Sequence, residues 1–367
     1  MSATAVNERL AALTAAGTSI WLDQLSRGLL ETGELARMVE QDSLQGVTSN
    51  PAIFEKSILG SADYDADLKR LADEGKSARE IYRAMALHDV RAAADVLRPV
   101  YDRTDGVDGY VSWEVAPRLA HDTAGSLEQA HMYWDLVDRP NLMIKIPATP
   151  EGIPAIEEAL FDGMNINVTL LFAVEQYEAV MEAYVRANER RLEAGRPLDR
   201  HSVASFFVSR VDSEVDKRLE ALGNTELQGK AGLANARAAY QAFQRVFEGE
   251  RFAKLAAAGC PVQRPLWAST GVKNPAYPST LYVWGLVAPH TVNTMPMPTL
   301  EAARENGGVT GATAAEDPSA DLAALAEAGV DLSDVTAKLL RDGIDAFMVP
   351  MQKLLDGIET KRTAIAA

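Results

Sequence analysis

Short apolar segments alternate with longer stretches of helical periodicity along this 367-residue chain. That rhythm restricts the fold to parallel α/β architectures. Strands are expected at 19–24, 46–49, 109–114, 142–147, 165–171, 203–208, 264–269 and 291–295. Helical period fills 78–101, 127–138, 154–161, 174–194, 212–222, 299–305 and 334–362. Eight strands, each followed by helix, match an α/β (β/α)8 TIM barrel with extra helices. A doubly wound open sheet has the same periodicity and remains the alternative. One barrel domain over 1–367 suits the length, with a helical insertion near 224–259 and a C-terminal helix at 334–362. A Gly/Thr/Ala loop at 307–318 is a second addition. Its run Gly307-Gly-Val-Thr-Gly-Ala312 lacks the lysine of a phosphate-binding P-loop and is read as a flexible loop.

Strands of a parallel barrel are covered on both faces and should be nearly all apolar. Here they are not. Lys145 interrupts the run Leu142-Met-Ile-Lys-Ile-Pro147, sharing a face with Met143 and opposing Leu142, Ile144 and Ile146. Asp23 shares a face with Ser19 and Trp21, and Glu114 with Ser112. Asn165, Asn167 and Thr169 lie opposite Ile166, Val168 and Leu170; Ser205 sits with Val203 and Phe207. Asn50 closes the second strand. The polar residues thus gather on one face and at the carboxyl ends of successive strands, where barrel enzymes keep their chemistry. Lys145 alone has a plainer reading, a strand-edge lysine whose head reaches solvent.

Composition narrows the partners. Fifty-two acidic against 36 basic residues give a formal charge of −16, which argues against nucleic acid. No apolar run is long enough for a bilayer, and the amino terminus lacks the layout of a secretory signal. The one cysteine, Cys260, cannot form an internal disulfide, and a reducing cytoplasm is the expected location. The five histidines have no metal-ligand spacing, so no metal is expected. The choice between monomer and homodimer is left open.

An amine held in an enclosed site attacks ketones to form a Schiff base. The resulting iminium would accept the electrons released when the C3–C4 bond of a ketose breaks. Asp23 suits the base at the C4 hydroxyl, and Glu114 with Thr169 a proton shuttle through water. Asn50, Asn167 and Ser205 offer uncharged hydrogen bonds to the three-carbon fragment. Arg210 and Lys273, after the sixth and seventh strands, are candidates for a phosphate grip.

These residues sit in six motifs: Trp21-Leu-Asp23, Val47-Thr-Ser-Asn-Pro51, Val111-Ser-Trp-Glu114, Met143-Ile-Lys-Ile-Pro147, Asn165-Ile-Asn-Val-Thr-Leu-Leu-Phe172 and Ser205-Phe-Phe-Val-Ser-Arg210. Together they resemble the transaldolase family, most closely its longer bacterial branch, from Trp21 to the terminal helix. The resemblance implies catalytic roles for Lys145, Glu114, Asp23 and Thr169. It implies substrate contacts for Asn50, Asn167, Ser205, Phe207 and Arg210, with Lys273 where shorter relatives carry an arginine. The implied reaction moves a dihydroxyacetone unit from sedoheptulose 7-phosphate to glyceraldehyde 3-phosphate in the non-oxidative pentose phosphate pathway. It yields erythrose 4-phosphate and fructose 6-phosphate, reversibly and without a cofactor. Three alternatives fit the same residues: an aldolase releasing free dihydroxyacetone, a pyridoxal-phosphate enzyme, and a sugar-phosphate binding protein without turnover.

Overall fold

The computed structural model describes residues 5–366, with side chains to 364; the outermost residues of the expected 1–367 span lie outside it. Eight strands form its centre: β1 (Thr18–Leu22), β2 (Leu44–Thr48), β3 (Tyr110–Glu114), β4 (Leu142–Pro147), β5 (Ile166–Leu171), β6 (Ser202–Phe207), β7 (Gln263–Ala268) and β8 (Thr291–Met295). Each pairs in parallel with the next, and β8 pairs with β1 through Thr18 opposite Thr291 to Leu22 opposite Met295. That last pairing closes the barrel and rules out the open sheet.

Strand parity sorts the apolar residues into two layers. Leu142, Ile144 and Ile146 face outward with Val111, Trp113, Ile166 and Val168, where the surrounding helices cover them. Met143 faces inward with Trp21, Val203, Leu266 and Val292. Gly46 makes room for this interior: a Cβ there would come within 2.5 Å of the Trp21 indole. Below the indole, Asp108 closes the amino end of the barrel. Its carboxylate accepts from Ser19 Oγ (2.7 Å), Trp21 Nε1 (3.1 Å) and Arg264 (2.9 Å), and both charged partners are buried.

Leu170 departs from the expected parity. Its φ is +60°, and the β5–β6 register shifts between Val168 and Leu171. The left-handed residue turns the side chain away from the outer layer and into the group holding Phe172 and Phe207. β5 is thus regular through Thr169 and bent immediately after it.

The C-terminal helix, Leu332–Ala366, is longer than its expected span of 334–362. It packs against helices Pro51–Gly60 and Ser209–Ala221, which start at the carboxyl ends of β2 and β6, and against β5. It therefore crosses the mouth of the barrel. Gly343 permits the close seat on β5, because a Cβ there would meet Leu170 at 3.1 Å. The stretch 224–259 holds helices Ala231–Phe247 and Glu250–Ala257; the first packs against helices Val174–Glu193 and Ser209–Ala221 and against β7 as part of the surrounding layer. The 307–318 loop is tied to residues that precede β1, Arg9 Nε donating to the Gly307 carbonyl at 3.1 Å, and it does not line the mouth.

Breaking the buried ion pair at the barrel floor leaves a guanidinium without its counter-charge. Asp108→Ala should lower unfolding free energy by about 3–5 kcal/mol in urea titrations. A loss under about 1 kcal/mol would mean that other contacts hold the floor closed.

Candidate active site

Register, not sequence proximity, brings the central pair together. Glu114, the last residue of β3, stands opposite Lys145 on β4, and Asn167 on β5 stands opposite Lys145 on its other side. All three side chains are buried. Lys145 Nζ lies 3.4 Å from Glu114 Oε2 and donates to the Ser49 carbonyl at 3.2 Å. Burial pushes the Glu114 carboxyl up to about 7, against the pull of the Lys145 ammonium. Nothing donates a proper hydrogen bond to Glu114 Oε2, and the buried hydroxyl of Thr169 has no partner either. Buried oxygens are seldom left bare, so the one 3.4 Å from the amine marks a place where a water or substrate oxygen belongs.

The mouth opens as a cavity of about 290 Å3, lined among others by Asp23, Asn50, Lys145, Ser205, Phe207, Arg210 and Lys273. Asp23 follows β1 and is anchored by its backbone N–H on the Met295 carbonyl (2.8 Å). Burial raises its pKa, while Lys145, the Thr48 hydroxyl, Arg210 and Lys273 pull it back. Thr48 Oγ1 donates to Asp23 Oδ1 at 2.7 Å and lies 2.7 Å from Thr294 Oγ1. Asn50 caps helix Pro51–Gly60, its Oδ1 accepting from Ile53 N–H at 3.0 Å. That bond fixes the amide and leaves its NH2 for the cavity.

Asn167 and Thr169 do not line the cavity. Asn167 lies beneath it as a support: its Nδ2 donates to Ser112 Oγ (2.9 Å) and its Oδ1 accepts from Ser205 Oγ (2.7 Å). With its proton committed to Asn167, the Ser205 hydroxyl presents lone pairs upward. Arg210 stands over the Phe207 ring at 5.1 Å and has no carboxylate within ion-pair distance among the described residues. Burial holds its pKa below the ordinary value, with Asp23 and Asp342 acting the other way. Lys273 is exposed at the rim.

Three further contributors lie outside the residues singled out by the sequence. Phe347, on the C-terminal helix, has its ring 5.7 Å from Lys145 Nζ and closes the cavity from above. Thr48 lies inside a motif noticed for its asparagine, and Thr294 shares the inward parity of Val292. Only the inward threonine parity was available to find them. Ser269, at φ +55°, lines the rim and touches Ser209 Oγ at 2.9 Å, joining the loops that carry Lys273 and Arg210.

A buried amine beside a carboxyl that titrates near neutrality, a second carboxylate held by hydroxyls, and cations at the rim can support carbonyl chemistry on a small anion. Among the described residues no group of three or more His, Cys, Asp or Glu could hold a metal, and no helix is long and apolar enough to cross a membrane.

Comparison with known proteins agrees with this geometry. The family model described as transaldolase/fructose-6-phosphate aldolase matches residues 20–358. A transaldolase of Mycolicibacterium smegmatis is 51% identical over 362 residues, covering 97% of this chain and 98% of that protein. One from Thermobifida fusca is 52% identical over 359 residues, 96% of this chain and 98% of its own. One from Acidothermus cellulolyticus is 53% identical over 348 residues, with 93% and 94% covered. With its barrel, its buried lysine and relatives matched over almost their full length, the chain belongs to the transaldolase/fructose-6-phosphate aldolase family, on its transaldolase side.

Proposed function

We propose that the protein transfers a dihydroxyacetone unit reversibly between sugar phosphates through a Schiff base on Lys145. Sedoheptulose 7-phosphate is the donor and glyceraldehyde 3-phosphate the acceptor, which gives erythrose 4-phosphate and fructose 6-phosphate in the pentose phosphate pathway. The observation that carries this reading is the buried Lys145 amine standing 3.4 Å from the unpartnered Glu114 Oε2. A cytoplasmic location fits a chain whose one cysteine, Cys260, is a buried free thiol.

Lys145 Nζ, having given its proton to Glu114, adds to the C2 carbonyl of the ketose. The carbinolamine loses water after Glu114 returns a proton to the C2 oxygen, with Thr169 holding the departing water. An iminium remains. Asp23 then takes the C4 hydroxyl proton, the C3–C4 bond breaks, and its electron pair moves into the iminium as an enamine. The aldehyde leaves. The enamine carbon attacks the acceptor aldehyde, whose oxygen receives the proton held on Asp23, and water hydrolyses the imine to free Lys145. Asn50 and Ser205 orient the hydroxyls of the retained unit, with Asn167 holding Ser205 in place. Arg210 and Lys273 grip the phosphate at the rim. Phe347 limits access of bulk water to the enamine, which favours transfer over release.

Borohydride reduction in the presence of fructose 6-phosphate should leave one stable adduct, mapped by mass spectrometry to Lys145. An adduct elsewhere, or none, overturns the mechanism. Free dihydroxyacetone accumulating without an acceptor at the rate of transfer would make the protein an aldolase instead. Lys145→Arg keeps the charge but cannot attack a carbonyl, so turnover should fall by at least about a thousandfold with the circular dichroism spectrum unchanged.

The pH profile follows from Glu114. Below about 7 the raised Glu114 carboxyl is protonated, leaving no base to take a proton from Lys145. kcat/KM should therefore fall on the acid side of about 7. Glu114→Gln should slow adduct formation by about a hundredfold and lack that acid limb. An identical profile in the variant would remove Glu114 from proton transfer.

A further inference from the structure

A second cavity, of about 350 Å3, lies behind β3 and shares no lining residue with the mouth. Its walls come from the start of helix Ala78–Arg103, the turn after β3, helix Thr123–Val137 and the C-terminal helix. Three arginines line it: Arg79, Arg83 and Arg118. None reaches a carboxylate at ion-pair distance among the described residues. Arg83 donates to the Met132 sulfur at 3.3 Å, a weak acceptor for a guanidinium. The one acid in the wall, Glu80, is turned to its own helix start, accepting from the Ser77 N–H (2.9 Å) and hydroxyl (2.7 Å). In a chain with 16 more acids than bases, three arginines in one cavity wall, none of them ion-paired among the described residues, make a local excess of positive charge. Arg251, by contrast, is held by both Glu182 and Glu189.

Apart from Gln129 and Gln352, the remaining lining is apolar and aromatic. Tyr133 is stacked face to face on Trp113, ring centroids 3.9 Å apart and planes within 1°. This gives the cavity a rigid planar wall. Met348 and Met351 supply an adaptable side facing it. Burial pushes the Tyr133 phenol up to about 12, against the pull of the nearby Arg83 and Arg118. Both arginines line the same cavity as this ring.

We propose that this cavity is a binding site for a small amphipathic anion. Arg83 and Arg118 hold its phosphate or carboxylate, and its flat apolar body lies between Tyr133 and the methionines. Guanidinium forks match either oxyanion in bidentate fashion, and the cavity volume falls in the range of small-molecule sites. The proposal stands apart from the reaction assigned to the mouth and requires none of its residues.

Phenyl phosphate carries both features and serves as the probe, titrated calorimetrically into the full chain. Arg210→Ala/Lys273→Ala removes the cations of the mouth, and this variant should still bind one equivalent saturably. Adding Arg83→Ala and Arg118→Ala to it should weaken binding by at least about tenfold. Met351→Glu, which sets a carboxylate among the arginines, should do the same with the thermal melt unchanged. Inorganic phosphate, having no apolar body, should bind at least about tenfold more weakly than the probe. Binding that vanishes with the mouth cations, survives both cavity variants, or is matched by inorganic phosphate overturns the proposal.

Discussion

The active centre depends on one pairing: a lysine and a glutamate made neighbours by the parallel register of two barrel strands. Lys145 and Glu114 are 31 positions apart in sequence yet directly opposed across β3 and β4. An isolated buried charge in this position would be untenable; opposed as a pair, the amine and the carboxyl can both remain inside. A slip of one residue between these strands would turn the pair to opposite faces, one inward and one into the helix layer. The outward set Leu142, Ile144 and Ile146 guards against that slip, because each is completely covered by the surrounding helices. The apolar layer therefore fixes the chemistry it does not touch.

The site divides into an upper and a lower tier. Below are groups in fixed hydrogen-bond networks: Asn167 between Ser112 and Ser205, and Asp23 with Thr48 and Thr294. Above are cations on the segments after β6 and β7, linked by Ser209 and Ser269. The lower tier sits on strands or immediately after them, where rotamers are locked by packing; of the upper tier, Arg210 is in the first turn of helix Ser209–Ala221 and Lys273 on the exposed segment after β7. A small sugar phosphate has the same polarity, with a reacting carbonyl at one end and a doubly charged group at the other. The barrel supplies rigidity where bonds change and latitude where only charge must be met.

Much of this was legible in the sequence because strand parity is a strict rule. All eight expected strands are present, β4 and β8 at their expected bounds, and Asp23, Lys145 and Ser205 line one cavity with Glu114 beside the lysine. Leu170 broke the rule, since a positive φ at a leucine has no signature in composition. Phe347 was invisible for a different reason. Its contact with Lys145 depends on where a helix 200 residues downstream comes to rest, and periodicity within a helix says nothing about that. The division of labour between Asn167 and Ser205 was also hidden, because both share the inward face and only coordinates distinguish a support from a lining residue.

The helix that roofs the mouth is made after every strand of the barrel. β8 ends at Met295, and the roof begins at Leu332. The ring of strands is thus complete in sequence before the segment that covers Lys145 begins. The cover over the amine rests on contacts at Gly343 and Phe347, supplied by one helix from outside the repeating strand–helix order of the barrel.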